Sequence, residues 1–119
     1  LAEAMRAPDA EAISDPLLRG FRRFAEQQGD DRLALAACSE GAGRALTAGD
    51  LAALGRPTLV VAGALDALAG DPAVLAAALP SAKAVSLPGC DHFTAIPHAL
   101  FKAAVFDFLD GWMDAPAFE

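Results

Sequence analysis

A short, unbroken apolar run places the strongest constraint on what this chain can fold into. Residues Pro57–Gly63 read PTLVVAG, with β-branched side chains in the middle and no alternation of polar and apolar positions. Such a strand has apolar side chains on both faces, which is typical of a parallel sheet with helices on both sides. The run therefore predicts an α/β fold and argues against a self-contained helical protein.

A second strand and two helices follow this run. Lys83–Leu87 is predicted to be a short strand that ends at a Pro-Gly turn, and Asp71–Leu79 is predicted to be a helix between the two strands. One intervening helix is enough for the right-handed crossover that joins parallel neighbours. A last helix, predicted over Pro97–Met113, has an apolar stripe that ends at Trp112.

The first half of the chain is predicted to be helical. Asp15-Pro16 is a helix start, because the aspartate can cap and proline suits the first helical position, and Gly29 ends that helix. The helices predicted in this half are Leu17–Gln28, a second one from Asp30 or Asp31 toward Cys38, and a short one from Thr47 to about Leu54.

The composition limits the classes of partner. The 119 residues are 55% hydrophobic and have a formal net charge of −7. Nucleic-acid binding needs a basic face, and the cations cluster only at Arg19, Arg22 and Arg23, so no nucleic-acid partner is expected. No apolar run approaches the ~20 residues needed to span a bilayer, so no membrane partner is expected.

Cys38 and Cys90 lack metal-ligand spacing, and we expect free thiols in a reducing, cytoplasmic compartment.

The chain opens at Leu1 rather than at Met, which predicts a piece of a longer polypeptide. The charged and apolar regions of a signal peptide are not found at its start, so no signal peptide is expected. Two parallel strands alone leave a backbone edge open on each side. We therefore expect further strands outside this sequence, and we expect the fragment by itself to be marginally stable and either to oligomerise through its strand edges or to aggregate.

Two residues able to act together in catalysis follow the two predicted strands. Asp66 lies shortly after the first strand, in Gly63-Ala64-Leu65-Asp66, and His92 lies shortly after the second. Because the carboxyl ends of parallel strands meet at one edge of a sheet, Asp66 and His92 are predicted to lie close together. A carboxylate beside an imidazole fixes the tautomer of the ring and stabilises its protonated form, as a general base requires.

These two segments, PTLVVAGALD and LPGCDHF, resemble the C-terminal part of α/β-hydrolases, most closely over Pro57–Trp112. The resemblance implies that residues 56–119 are the C-terminal βαβα part of a doubly wound parallel sheet, and that residues 1–55 are a helical cap-like segment and its connection. It also implies that Asp66 is the acid and His92 the base of a Ser-His-Asp triad. The implied activity is ester hydrolysis of a small-molecule substrate, with no cofactor and no metal.

The nucleophile of that triad has no match in this sequence. The family places it in a Gly-x-Ser-x-Gly elbow between a strand and a helix. The nearest segment is Ala37–Gly41, which contains Ser39, but the residues before it favour a helix over a strand. We therefore expect the nucleophile and the oxyanion hole to lie upstream of Leu1, and the fragment alone to be inactive.

Other interpretations of the same residues remain open. Asp71 is a rival acid, although its place before Pro72 is typical of a helix N-cap. Asp66 and His92 have simpler alternatives, a turn cap and a ring bonded to the loop backbone. Asp91 is expected to face solvent or its own loop, Cys90 to be a small loop residue, and His98 to lie on the surface.

The alternative function for the whole chain is a non-catalytic small-molecule binding module on the same fold.

Overall fold

A computed structural model of the protein describes residues 1–41 and 43–111 and divides the chain into two compact units, Leu1–Ala45 and Leu46–Glu119. The first unit is helical, and the second contains a small parallel sheet with helices. The last helix ends at Leu109, earlier than the predicted Met113, because Asp110 and Gly111 form a turn in which Gly111 has a φ of 90°; Trp112 and Met113 themselves lie outside the described residues.

The first unit consists of short helices with strong local start signals. Asp15 accepts hydrogen bonds from the backbone N–H groups of Leu17 and Leu18, at 2.8 and 3.2 Å, and Gly29 ends the same helix with a φ of 74°. Both ends agree with the sequence prediction. The elements are α1 (Ala2–Arg6), a 3₁₀ turn (Ala10–Ala12), α2 (Pro16–Gln28) and α3 (Arg32–Glu40).

The buried face of α2 is formed by an arginine and an alanine. Arg22 is 1% exposed, whereas the apolar residues Leu17 and Phe24 of the same helix are 39% and 43% exposed. The guanidinium of Arg22 donates to the backbone carbonyls of Ala4 and Ala7, at 3.0 and 2.7 Å, and to the Glu26 carboxylate at 2.7 Å. Arg22 therefore connects helix α2 to the segment that precedes it through buried hydrogen bonds. The sequence alone did not indicate this role.

The other two arginines of the basic cluster are also engaged within the first unit. The Nε of Arg19 donates to the backbone carbonyl of Ile13 at 2.8 Å, and Arg23 forms an exposed ion pair with Glu11. The cluster is thus a set of intramolecular contacts.

We expect Arg22→Ala to lower the local stability of α2 by about 2–4 kcal/mol, because it removes the guanidinium donor of the Ala4 carbonyl and the nearer donor of the Ala7 carbonyl, and opens a cavity. Arg23→Ala is the matched control, since an exposed ion pair contributes about 0–1 kcal/mol. Native-state hydrogen exchange of the α2 amides measures both. Equal losses for the two variants would contradict the role assigned to Arg22.

The second unit follows the predicted order of strand, helix, strand and helix. Its elements are α4 (Ala48–Ala52), β1 (Thr58–Gly63), α5 (Pro72–Ala78), β2 (Ala82–Leu87) and α6 (Ala99–Leu109). The strands are parallel and pair in register from Thr58 opposite Ala82 to Gly63 opposite Leu87. Both α5 and α6 contact both strands. The two strands therefore end level with each other, and the loops that follow them leave from the same edge.

The start of α6 differs from the prediction. The helix begins at Ala99 rather than Pro97, because His98 is its N-cap and the Nδ1 atom of His98 accepts a hydrogen bond from the Leu100 N–H at 3.1 Å. His98 is half-buried. An imidazole nitrogen here replaces the usual carboxylate or hydroxyl oxygen of a helix cap.

The sheet is less covered than the apolar run predicted. Within β1 only Ala62 and Gly63 are buried, and the residues before them are half-buried. The described part of the chain provides two strands and two contacting helices, which are too few to enclose both faces. Large apolar side chains of this unit stay exposed, among them Leu65, Val74, Ile96, Phe106 and Leu109.

We expect the 119-residue chain by itself to self-associate, because open strand edges and exposed apolar side chains favour pairing with another copy. Size-exclusion chromatography over a range of concentrations, together with thermal unfolding, tests this expectation. A monodisperse monomer with one cooperative transition at all concentrations would contradict it.

Candidate active site

The loop after β1 is attached to the loop after β2 by backbone hydrogen bonds. The Ala64 N–H donates to the Leu87 carbonyl and the Leu65 N–H donates to the Cys90 carbonyl, both at 2.8 Å. The first bond continues the parallel pairing past the end of β1, and the second joins the loop after β1 to the loop after β2. They bring the residues that follow, Asp66 and His92, to the same edge of the sheet.

Asp66 and His92 are in direct contact. The Oδ2 atom of Asp66 lies 2.8 Å from the Nδ1 atom of His92, within the range of a strong hydrogen bond. This distance confirms the predicted proximity of the two residues. The Asp66 side chain is 4% exposed and the His92 side chain is 40% exposed, so the carboxylate lies under the ring and the ring faces outward.

The second oxygen of Asp66 stabilises its own loop. Its Oδ1 atom accepts hydrogen bonds from the backbone N–H groups of Leu68 and Ala69, at 3.0 and 2.9 Å. The turn cap is therefore present, and it does not exclude the contact with His92, because the two use different oxygens. The two amide donors confirm the turn cap that the sequence offered as an alternative for Asp66.

The environment of Asp66 keeps its carboxyl group ionised. Burial pushes its pKa up, but hydrogen bonds from the Ala69 N–H, from the His92 ring and from the Leu68 N–H outweigh burial, and the pKa of Asp66 lies below its usual value. An ionised carboxylate only accepts hydrogen bonds. The Nδ1 atom of His92 must therefore be the protonated one, and in the neutral ring Nε2 is the basic nitrogen.

Asp91, the neighbour of His92, builds the loop that presents the ring. Its carboxylate accepts from the N–H groups of Phe93 and Thr94, at 3.0 and 2.9 Å, and from the Thr94 hydroxyl at 2.9 Å. The bonds from the Thr94 hydroxyl and from the two amides hold the pKa of Asp91 below its usual value. Asp91 is thus committed to its own loop, as the sequence predicted.

The other candidate residues from the sequence occupy other positions in the fold. Asp71 is the N-cap of α5 and accepts from the Ala73 N–H at 2.9 Å, as its place before Pro72 predicted. Cys90 is buried with its thiol 3.5 Å from the Pro88 carbonyl, and both cysteines are free, as expected. Ser39 lies in the last turn of helix α3, so it does not occupy a turn between a strand and a helix.

Neither a metal cluster nor a membrane-crossing helix is found in residues 1–41 and 43–111. No group of three or more His, Cys, Asp or Glu side chains is placed to hold a metal ion there. None of the helices there combines the length and the apolar character needed to cross a bilayer.

Comparisons with known proteins add no family to these observations: no protein-family model, no curated protein and no solved structure matches this chain. The interpretation of the site therefore depends on its own geometry.

We expect Asp66→Asn to lower the free energy of unfolding by about 1–3 kcal/mol at pH 7. The amide has a single accepting oxygen, so it cannot serve both the N–H groups of its own turn and the Nδ1–H group of His92, and the charge-assisted bond is lost. The pKa of Asp66 in the folded protein is lower than its usual value, so the ionised carboxyl group stabilises the fold at pH values above that usual pKa. The stabilisation is lost as the pH falls through the folded-state pKa. The difference between wild type and variant should thus shrink below about pH 4.

Asp71→Asn is the matched control, because asparagine caps a helix about as well as aspartate. Urea unfolding of the three proteins at pH 7 and pH 3 measures the effect. A loss for Asp66→Asn that equals the control at pH 7, or that grows in acid, would contradict the assignment.

Proposed function

We propose that the protein is a hydrolase of the α/β-hydrolase type that cleaves small-molecule esters, with Asp66 as the acid and His92 as the base of a Ser-His-Asp triad. The observation that supports this most is the 2.8 Å contact between Asp66 Oδ2 and His92 Nδ1 at the carboxyl edge of two parallel strands. In open α/β sheets, ligands bind beyond this edge. The order along the chain, acid before histidine, is the order of that fold.

The chemistry of the pair suits acyl transfer. With Nδ1 protonated and bonded to the buried Asp66 carboxylate, the Nε2 atom of His92 is the base that takes the proton of a serine hydroxyl. The serine oxygen then attacks the ester carbonyl, and the imidazolium returns the proton to the leaving alcohol. Asp66 stabilises the imidazolium throughout, and a water molecule activated by the same histidine releases the acid.

The proposal places the nucleophile outside residues 1–119. The loops that follow β1 and β2 lead to Asp66 and His92, and Ser39 belongs to a helix. In the proposal, the serine elbow, the oxyanion hole and the remaining strands of a doubly wound sheet precede Leu1. Residues 56–119 then form the end of the core, and residues 1–55 a cap-like segment with its connection.

The coding sequence upstream of Leu1 is the first test. We expect an apolar strand followed by Gly-x-Ser-x-Gly and a helix, in that order. A strand-and-helix sequence without a serine, cysteine or aspartate at the elbow would contradict the hydrolase and favour a binding module on the same fold.

The second test is hydrolysis of a p-nitrophenyl ester by the protein that includes this elbow. His92→Ala should lower kcat on the order of 10⁴-fold, because members of a triad act as a unit. The matched control is His98→Asn, which changes the other described histidine and retains a helix-capping acceptor. Near-normal turnover by His92→Ala would contradict the role assigned to His92.

The acid is tested in the same assay. Asp66→Asn should lower kcat on the order of 10⁴-fold, because the amide favours the wrong tautomer of His92. Asp71→Asn should leave kcat within about twofold, because its amide still caps α5. The reverse result would transfer the acid role to Asp71.

A further inference from the structure

Gly63, the last residue of β1, lies unusually close to the loop that presents His92. A Cβ atom built on Gly63 would lie 2.2 Å from the carbonyl oxygen of Cys90, 2.6 Å from its carbonyl carbon and 3.0 Å from the carbonyl oxygen of Asp91. Gly63 does not have a positive φ. The requirement for glycine here comes from space and not from backbone conformation.

The obstructing atoms cannot rotate out of the way, because they belong to the backbone. The Cys90 carbonyl also accepts the hydrogen bond from the Leu65 N–H at 2.8 Å, and the Cys90 residue is 2% exposed. Any side chain at position 63 must therefore move the 90–91 peptide by about 1 Å to reach an ordinary contact distance. Such a movement acts on His92, the residue that follows this peptide.

We propose that Gly63 is a positioning residue for the Asp66–His92 pair. The absence of a side chain lets the Cys90 carbonyl lie against the end of β1. The Leu65–Cys90 hydrogen bond then holds the two loops at the separation that Asp66 and His92 need. A displacement of about 1 Å would stretch the 2.8 Å contact between Asp66 and His92 beyond hydrogen-bond range.

The catalytic part of this inference rests on the proposed function, whereas its geometric part does not. The test therefore has two readouts for Gly63→Ala. One is the low-field proton resonance of the His92 Nδ1–H group by NMR. The other is kcat for p-nitrophenyl ester hydrolysis by the protein that includes the serine elbow.

We expect Gly63→Ala to remove the Nδ1–H resonance and to lower kcat on the order of 10²-fold, the effect of misplacing a catalytic group by about 1 Å. KM should change by less than about threefold. Gly55→Ala is the matched control, because a Cβ there meets nothing within 4 Å and the residue lacks a positive φ. It should keep both the resonance and kcat.

An Nδ1–H resonance in folded Gly63→Ala that matches the wild type would overturn the proposal. If the wild-type protein shows the resonance but hydrolyses no ester, the proposed function fails while the NMR comparison still decides the role of Gly63.

A second variant decides the case in which Gly63→Ala does not fold. Replacing Leu65 by its α-hydroxy acid turns the amide into an ester, which removes the donor to the Cys90 carbonyl without adding a side chain. We expect a weakened Nδ1–H resonance and a fall in kcat of about tenfold. An unchanged resonance would overturn the proposal.

Discussion

The in-register parallel pairing of β1 and β2 is the constraint on which the site depends. Gly63 lies opposite Leu87, so both strands end at the same level, and the two backbone hydrogen bonds beyond them keep the following loops together. A slip of one residue would turn every side chain to the other face of the sheet. The 2.8 Å contact between Asp66 and His92 exists because these loops leave one edge side by side.

Asp66 illustrates how one side chain serves the fold and a potential reaction together. One oxygen accepts two amides of its own turn, which fixes the carboxylate, and the other holds the imidazole. A carboxylate held by its own backbone needs no reorganisation when the ring takes up a proton, and preorganisation of this kind is the basis of electrostatic catalysis. The His92 ring is exposed and the Asp66 carboxylate is buried, so the basic nitrogen of His92 lies on the side of the ring away from Asp66.

The two units hold themselves together in different ways. In the first unit a buried arginine bonds the carbonyls of Ala4 and Ala7, around a small core that contains Met5, Ala25 and Ala36. In the second, the strand pair and the loop contacts provide the order, and much apolar surface stays exposed. Polar bonds to backbone carbonyls fix the geometry of the first unit where small alanine side chains bury little area.

Elements with local causes can be predicted from the sequence. Asp15, Asp71 and the Thr47–Asp50 capping box mark helix starts through bonds to amides within three residues, and the apolar run marks β1. Two strands with one helix between them also predicted the edge at which Asp66 and His92 meet. The burial of Arg22, the cap that His98 provides for α6 and the need for glycine at position 63 emerge only in the folded chain. Burial and steric space depend on groups distant along the chain, so no local pattern reports them.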